Sequence, residues 1–283
     1  MRFTVDEDKC TLCGACLKTC PTDMVREKRG AIKISFVACI GCGHCLAVCP
    51  VGAVSCQEGG FTARPEAVAT AEELLGLIKT RRTVRRYSPE PVTREQLELL
   101  PEAARYVPTG ANAQPQRFLV LTEAAARARL RDGIMDYYRG YAEAMADKEH
   151  PERLAAYGNA GRGEMHEHVL AAVPSFVKNV DGGRDRLFFD APAIIVLHAP
   201  KDEVTPQEAC DYAAFAITLL AEAQGLGTCI TAYASMALQA LPELARATGV
   251  PESNEVYAVV VVGHPAEEYG MVPPRKPAAV EWR

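Results

Sequence analysis

The 283-residue chain lacks an apolar segment at its start of the kind that opens a secretory signal, because it begins MRFTVDEDKC. Its longest apolar runs, YAVVVVG and APAIIVLHA, are far shorter than the roughly 20 residues that a membrane-spanning helix needs. It has no long run of Lys and Arg, and its formal net charge is -5. We therefore expect a cytoplasmic protein with neither nucleic acid nor a membrane as a partner.

Cysteine, in contrast, is abundant, and eight of the eleven cysteines fall in two tight runs. The runs are CTLCGACLKTCP, residues 10–21, and CIGCGHCLAVCP, residues 39–50, so each cysteine recurs 29 residues later. A secreted disulfide scaffold is disfavoured without a signal segment, and the clustering favours metal binding. Cys56, Cys210 and Cys229 lie outside the runs and are interpreted as free cysteines.

The spacing inside each run predicts iron–sulfur clusters. Three thiolates at CxxCxxC spacing can surround one corner of a cubane, while the fourth cysteine, followed by proline, points away from that triplet. In the bacterial two-cluster pattern the fourth cysteine binds the other cluster. The predicted ligands of the first [4Fe–4S] cluster are Cys10, Cys13, Cys16 and Cys49, and those of the second are Cys39, Cys42, Cys45 and Cys20.

The alternative is a pair of structural zinc sites, but zinc prefers two separated cysteine pairs. The apolar residues between the runs make only a small core, so the clusters are expected to supply the missing stability. The stretch resembles the bacterial two-[4Fe–4S] ferredoxins along its whole length. That resemblance implies one-electron transfer at low potential.

The chain is predicted to contain two domains joined by a linker. Residues 1–58 form the ferredoxin domain, and residues 59–69 read as a linker because they hold glycine, proline and small residues without periodicity. Thr70 with Glu73 predicts a capping box at the start of a helix, and the second domain occupies residues 70–283.

The second domain mixes predicted helices with separated apolar strands. The strands are FLVLT from Phe118, AIIVLHA from Ala193 and YAVVVVG from Tyr257. Thr93 with Gln96 predicts another capped helix. A further helix starts at Thr205, Pro206 and Glu208, and its apolar stretch AAFAITLLA must be buried in the core or at a subunit interface.

Two polar segments of this domain are candidates for a binding site. TRRTVRRYSPEPV offers Arg81, Arg82 and Arg85 as donors suited to a phosphate, although a basic cluster of this size is commonly solvated surface. The turn VPTGANAQPQRF places Thr109, Asn112 and Gln114 where amide groups could meet a planar heteroaromatic ring. A plain turn is the alternative.

Taken in order, RRTVRRYS, PTGANAQPQRF, AQGLGTC and GHPAEEYGMVPPRKP resemble the nitroreductase family of FMN enzymes over residues 70–283. The resemblance implies an α+β fold and an intertwined homodimer with FMN at the subunit interface. It also implies contacts with the FMN phosphate and ribityl chain for Arg81, Arg82, Thr83, Arg85, Arg275 and Lys276. It implies contacts near the flavin ring for Pro108, Thr109, Asn112, Gln114, Gly227 and Thr228.

The chain departs from this family at two positions near the ring, where Gln116 and Ile230 stand in place of common aromatics. Residues 137–190 are interpreted as a variable lid above the flavin. Several of its side chains could line a pocket or donate a proton, although packed or solvated roles are the alternative; they are Tyr137, Tyr138, Tyr141, His166 and His168. No catalytic acid is predicted.

Together the two domains predict an iron–sulfur flavoprotein oxidoreductase. A low-potential external donor such as a ferredoxin-like protein would load the clusters, and electrons would pass to FMN and leave as hydride for a nitroaromatic or quinone-like acceptor. The resemblance also allows NAD(P)H as the donor, reacting directly at the flavin. No GxGxxG follows a predicted strand, so a dedicated dinucleotide domain is not expected. The alternatives are electron transfer between protein partners without a small-molecule substrate, and reductive dehalogenation or flavin-modifying chemistry.

Overall fold

The computed structural model describes residues 1–59, 62–63, 65–66, 68–155, 157 and 171–283. Residue contacts divide the chain into two compact units. The first unit is Met1–Val68 with Gly110–Ala113, and the second is Ala69–Thr109 with Gln114–Arg283. The boundary after Val68 falls within the predicted linker. In the described part of the chain, no helix is both long and apolar enough to cross a membrane.

The first unit repeats one local structure in each half. Gly14 and Gly43 have φ of 73° and 75°, and each precedes a short helix, α1 (Ala15–Thr19) or α2 (His44–Ala47). A side chain at such a φ is strained, which explains the glycine in each CxxCG segment. Two antiparallel strand pairs, β1 with β4 and β2 with β3, complete the unit. The strands are β1 Phe3–Val5, β2 Val25–Lys28, β3 Ala31–Ile34 and β4 Val54–Cys56.

The second unit contains a four-stranded antiparallel sheet with helices on both faces. The sheet order is β5-β6-β8-β7. Its strands are β5 Arg117–Leu121, β6 Ala193–Pro200, β7 Gly227–Ile230 and β8 Asn254–Gly263. The described helices are α3 Ala71–Thr80, α4 Arg94–Ala104, α5 Ala124–Ala146, α6 Glu152–Ala155, α7 Val173–Asp181, α8 Pro206–Ala223, α9 Ala232–Ala240 and α10 Pro242–Thr248.

The core of this unit lies on both faces of the sheet. Strand β6 is buried from its first residue to Ala199, and its side chains alternate between two clusters. Ile194 packs with residues of α5, α7 and α9, whereas Ile195 packs with residues of α4 and α8. Both faces of a strand in this position must be apolar, which explains the continuous run AIIVL.

These elements confirm the expected α+β class. Both predicted capping boxes are present, at Thr70 with Glu73 and at Thr93 with Gln96. Helix α8 begins at Pro206 as predicted, but Thr205 has a φ of 48° and makes no capping hydrogen bond through its side chain. The proline therefore marks this start better than the threonine does.

Two helices expose apolar side chains. Helix α3 buries none of its residues, and Leu74, Leu75 and Ile78 are 47%, 49% and 40% exposed. Helix α8 is buried along much of its length, as predicted, yet Tyr212 and Phe215 remain exposed. Apolar side chains at this spacing form a stripe that ordinarily packs against another surface.

Candidate redox sites

Four thiols of the first unit line one cavity. Cys10, Cys13 and Cys16 come from the first run, and Cys49 comes from the end of the second run. The rest of the wall is largely apolar and includes Val5, Ile32, Val51, Ala53 and Val54. The folding of one repeat against the other thus brings together the four thiols that the spacing predicted for one cluster.

The surroundings of the two fourth cysteines suit thiolate ligands. The backbone N–H groups of Met24 and Ala53 donate to Cys20 Sγ and Cys49 Sγ, each at 3.2 Å. Partial burial by itself raises the pKa of both thiols, but the surrounding N–H donors outweigh burial and hold both pKa values below the ordinary one. Among the described residues, no three His, Cys, Asp or Glu side chains converge closely enough for a single metal ion. An all-sulfur donor set around a cavity fits a cluster.

The third cysteines of the two runs, Cys16 and Cys45, occupy corresponding positions in the two short helices and have similar surroundings. Burial, together with the neighbouring Cys42 and Cys39, raises the pKa of Cys45 to about 11. The corresponding Cys16 thiol is also raised in pKa by burial, with Cys10 and Cys13 beside it. Cys20, the predicted fourth ligand, packs against the same small core as Cys39.

The turn that follows Pro108 is divided between the two units. Asn112 is grouped with the first unit, where its side-chain amide donates to the carbonyl oxygens of Ile40 and Gly41 at 3.2 and 3.1 Å. These carbonyls lie between Cys39 and Cys42 in the sequence. In the second unit, the Gln114 N–H donates to Thr109 Oγ1 at 3.1 Å. The amide predicted to flank a flavin ring is thus hydrogen-bonded to a cysteine loop.

In the second unit, the arginine-rich segment is held against strand β7. Thr83 forms a parallel bridge with Thr228, and the Val84 N–H donates to Thr228 O at 2.9 Å. Gly227 permits this approach, since a Cβ atom there would lie only 2.6 Å from Val84 Cγ2. The structure therefore brings Thr83, Gly227 and Thr228 together, and it gives Gly227 a packing role.

The arginines of this segment have different surroundings. Arg82 donates to the carbonyl oxygens of Lys79, Arg81 and Met271 at 2.6–2.7 Å, which ties it to the C-terminal segment. Arg85 points elsewhere, with its guanidinium carbon 5.9 Å from the ring centre of Phe189. Arg275 is exposed and donates to Pro274 O, and Lys276 is exposed as well.

Arg85 lies on the wall of a cavity of about 670 Å³. That size is within the range of small-molecule and cofactor sites. The cavity wall includes the end of β7 and the start of α9, a stretch that directly follows the predicted GLGT residues: Cys229, Ile230, Thr231, Ala232 and Tyr233. The sequence did not identify these residues as part of a site, and only Ile230 was noted, as a position where the chain differs from the family. Their position at the end of a buried strand was the available signal.

Thr231 supplies a test of whether this cavity suits a polar cofactor. The residue is 6% exposed, and its Oγ1 atom is buried without a hydrogen-bond partner among the described residues. A buried hydroxyl without a partner costs about 1–3 kcal/mol. Burial raises the pKa of the neighbouring Cys229 thiol, while the Arg85 guanidinium acts in the opposite direction. A heteroaromatic cofactor with several acceptors would satisfy these donors.

The tyrosines of the predicted lid segment belong to the core. Tyr138 and Tyr141 lie in α5 and are 2% and 7% exposed. The Tyr138 hydroxyl donates to Tyr233 O at 2.7 Å, and burial raises the Tyr138 pKa far above its ordinary value. Tyr137 packs against the same core. The predicted His166 and His168 lie outside the described residues.

Comparison with known proteins agrees with this division of the chain. The sequence model of the nitroreductase family matches residues 78–264, and that of the 4Fe-4S dicluster domain matches residues 2–69. The chain is 28% identical over 197 residues to nitrobenzene nitroreductase from Ectopseudomonas oleovorans, covering 66% of this chain and 84% of that protein. It is 31% identical over 166 residues to chloronitrobenzene nitroreductase from Comamonas testosteroni, covering 54% and 70%.

Among solved structures, the chain is similar to oxidised iodotyrosine deiodinase bound to FMN and 3-iodo-L-tyrosine. The TM-score is 0.52 at 23% identity, and the match covers 74% of this chain and 98% of that one. At this identity the likeness concerns the fold.

Proposed function

Since the chain belongs to the nitroreductase family and carries a 4Fe-4S dicluster domain before it, we propose an FMN-dependent reductase of electron-poor small molecules, nitroaromatic or quinone-like. Its electrons would enter through two [4Fe–4S] clusters. The observation that carries this proposal is the cavity lined by Cys10, Cys13, Cys16 and Cys49. An iron–sulfur cluster carries single electrons, which a flavin can accept and pass on as a pair.

Residues that follow the two cysteine runs in the sequence would hold FMN. Arg81, Arg82, Thr83 and Arg85, with Arg275 and Lys276, are proposed for the phosphate and ribityl chain because arginine forks and hydroxyls match phosphate oxygens. Pro108, Thr109, Asn112, Gln114, Gly227 and Thr228 are proposed for the ring region, and the cavity adds Thr231. When bound, FMN supplies the conversion of single electrons into a transferred pair.

The protein's own contribution is to orient the acceptor and to place a positive charge beside it. The cavity wall combines the Arg85 cation with Phe176, Phe189 and Leu187. A cation placed beside a developing negative charge stabilises that charge. The wall would therefore bind a planar acceptor and favour the negative charge that builds up on it during reduction.

A homodimer is part of the proposal. The unburied apolar face of α3 and the exposed Tyr212 and Phe215 of α8 support it, because such stripes are normally covered. Light scattering of the purified chain should give twice the monomer mass of 30.6 kDa. A monomeric mass would contradict this part of the proposal alone.

The electron route is tested by anaerobic turnover. The reconstituted protein is given a low-potential one-electron donor or NAD(P)H, and reduction of nitrobenzene is followed by product analysis. Cys10→Ser and Cys39→Ser should reduce turnover with the one-electron donor at least about tenfold, since each removes a predicted cluster ligand. Cys56→Ser is the matched control, because Cys56 lies outside both runs.

If turnover survives both ligand substitutions and requires only NAD(P)H, the first unit is not the electron input. If the donor reduces the protein but no small molecule reoxidises it, electron transfer between protein partners becomes the better account.

Reductive dehalogenation is the second candidate, because this fold is shared with a deiodinase. To distinguish dehalogenation from nitroarene reduction, the same anaerobic assay is run with 3-iodotyrosine in place of nitrobenzene, and iodide release is measured. Iodide release at a rate above that of nitrobenzene reduction would favour dehalogenation.

A further inference from the structure

The described wall of the 670 Å³ cavity is cationic. Two arginines, Arg85 and Arg186, line it, and no carboxylate does so among its described residues. Arg85 belongs to the segment proposed for FMN. Arg186 does not, because it follows α7 in a separate stretch of the chain. One of the two positive groups is therefore left for a different ligand.

Arg186 has no carboxylate partner within the part of the chain that the structure describes. Its neighbour Asp185 is occupied by backbone groups, accepting from the Leu187 and Phe188 N–H groups at 2.9 and 3.0 Å and from the Asp190 N–H at 3.2 Å. These bonds fix the turn that carries Arg186. An arginine on a fixed turn beside a cavity is suited to bind a carboxylate through two parallel hydrogen bonds.

The same cavity contains an aromatic surface that is held rigidly. The rings of Phe176 and Tyr233 stack with centres 4.8 Å apart and planes 13° apart. Tyr138 packs edge-on against both, at 5.5 and 5.2 Å, and its hydroxyl donates to Tyr233 O. Fixed aromatic side chains favour a planar aromatic ligand, because little side-chain entropy is lost on binding.

We propose that this cavity binds a planar aromatic carboxylic acid, with the ring against Phe176 and Tyr233 and the carboxylate toward Arg186. The inference rests on the proposed reductase function and specifies the class of its acceptor. Arg186 acts as a specificity residue, since it would distinguish an acidic arene from a neutral arene of the same shape.

Kinetics with two matched acceptors test this assignment in the FMN-loaded, cluster-loaded full chain. The acceptors are 4-nitrobenzoate and nitrobenzene, which differ by the carboxylate. In Arg186→Gln, KM for 4-nitrobenzoate should rise about tenfold more than KM for nitrobenzene, equivalent to about 1.4 kcal/mol. Arg184→Gln is the control, because Arg184 lies two residues away and does not line this cavity.

Two kinetic outcomes would overturn the assignment. Equal changes of KM for both acceptors would make Arg186 a general structural residue. Loss of FMN from Arg186→Gln on gel filtration, with FMN retained by Arg184→Gln, would make Arg186 a phosphate anchor instead.

A binding measurement tests the carboxylate site without requiring that the protein reduce any acceptor. Benzoate, which cannot be reduced here, is titrated into the oxidised protein while the flavin absorbance is followed. Saturable binding that weakens about tenfold in Arg186→Gln and not in Arg184→Gln supports the acid site even if no nitroarene is reduced. Absence of a saturable change in the wild-type protein overturns it, and leaves the proposed reductase function standing.

Discussion

The first unit has a core of six buried residues among those described, and two of these, Cys16 and Cys45, are predicted cluster ligands. The second unit instead buries apolar side chains on both faces of a four-stranded sheet. A small core cannot offset the conformational entropy of its chain without cross-links or metals, whereas a two-sided core can. The two units should therefore depend very differently on their cofactors.

Removal of iron should produce the largest difference in stability between the two units. We expect the amides of β1 to β4 to lose at least about 100-fold in hydrogen-exchange protection in the iron-free protein, because the thiols then no longer cross-link the two repeats. The amides of β6 and β8 should keep their protection. Full protection of β1 to β4 without iron would show that the small core suffices.

Gly227→Ala should be the most damaging small substitution in the second unit. The added Cβ would lie 2.6–2.9 Å from three side-chain atoms of Val84, so β7 and the arginine segment must separate. We expect a loss of about 1–3 kcal/mol in the free energy of unfolding, measured by urea denaturation. Gly76→Ala is the matched control, since nothing lies within 4 Å of its Cβ position and alanine favours a helix. Equal stability of Gly227→Ala and the wild type would contradict the tight contact.

Thr231→Val should separate protein stability from cofactor affinity. Without FMN, the variant should be as stable as the wild type or slightly more stable, because it removes a buried hydroxyl that has no partner within the described part of the chain. FMN affinity should fall about three- to tenfold, the value of one hydrogen bond, in a fluorescence titration.

Thr218→Val is the control for this experiment. Thr218 is 3% exposed, and its hydroxyl donates to Phe215 O at 2.8 Å. That variant should lose about 1 kcal/mol of stability and keep its FMN affinity. If Thr231→Val behaves in the same way, the Thr231 hydroxyl serves the protein and not the cofactor.

The smallest expected effect is a pH dependence from His198. The Asn254 amide nitrogen lies 2.7 Å from His198 Nδ1, so Nδ1 accepts and the ring is neutral. Burial, followed by the charge of Arg117 on β5, lowers the His198 pKa below 6.5. Below that pH the unfolded chain binds the proton more readily, so the stability of the second unit should fall as pH drops from 7.5 to 5.5. Urea midpoints of His198→Gln should fall less over this range, and parallel curves for the two proteins would contradict the assignment.

Local signals predicted the elements of this chain well. The Thr70 and Thr93 capping boxes were readable because a cap involves residues only three apart. Strand β6 was readable because every position up to Ala199 is buried. The start of α8 shows the limit of such signals, since Thr205 stands at the right position but adopts a backbone conformation that does not place its hydroxyl for capping.

The candidate site was predicted less completely, because its residues meet only in three dimensions. GLGT drew attention to Gly227 and Thr228, yet the cavity is lined by the following residues, Cys229 to Tyr233. Nothing in the sequence around Arg186 indicated a binding role, because an arginine in a polar stretch is ordinarily a surface residue. Its relevance comes from Phe176 and Tyr233, which are far from each other in sequence and stack in the fold.

Cysteine spacing was sufficient to predict the two clusters, because the geometry of a cubane restricts which local spacings can bind it. The exchange of fourth ligands stays a prediction, which the cavity that Cys49 shares with Cys10, Cys13 and Cys16 supports for the first cluster. The order of the arginine, amide and glycine motifs was likewise sufficient for the family. Tertiary structure alone decided that Asn112 binds the carbonyls of Ile40 and Gly41. It also decided that the Thr231 hydroxyl is buried without a partner among the described residues, and that Arg186 lines the same cavity as Phe176 and Tyr233. Each of these depends on which distant segments pack together, and packing is a property of the whole chain that no local spacing records.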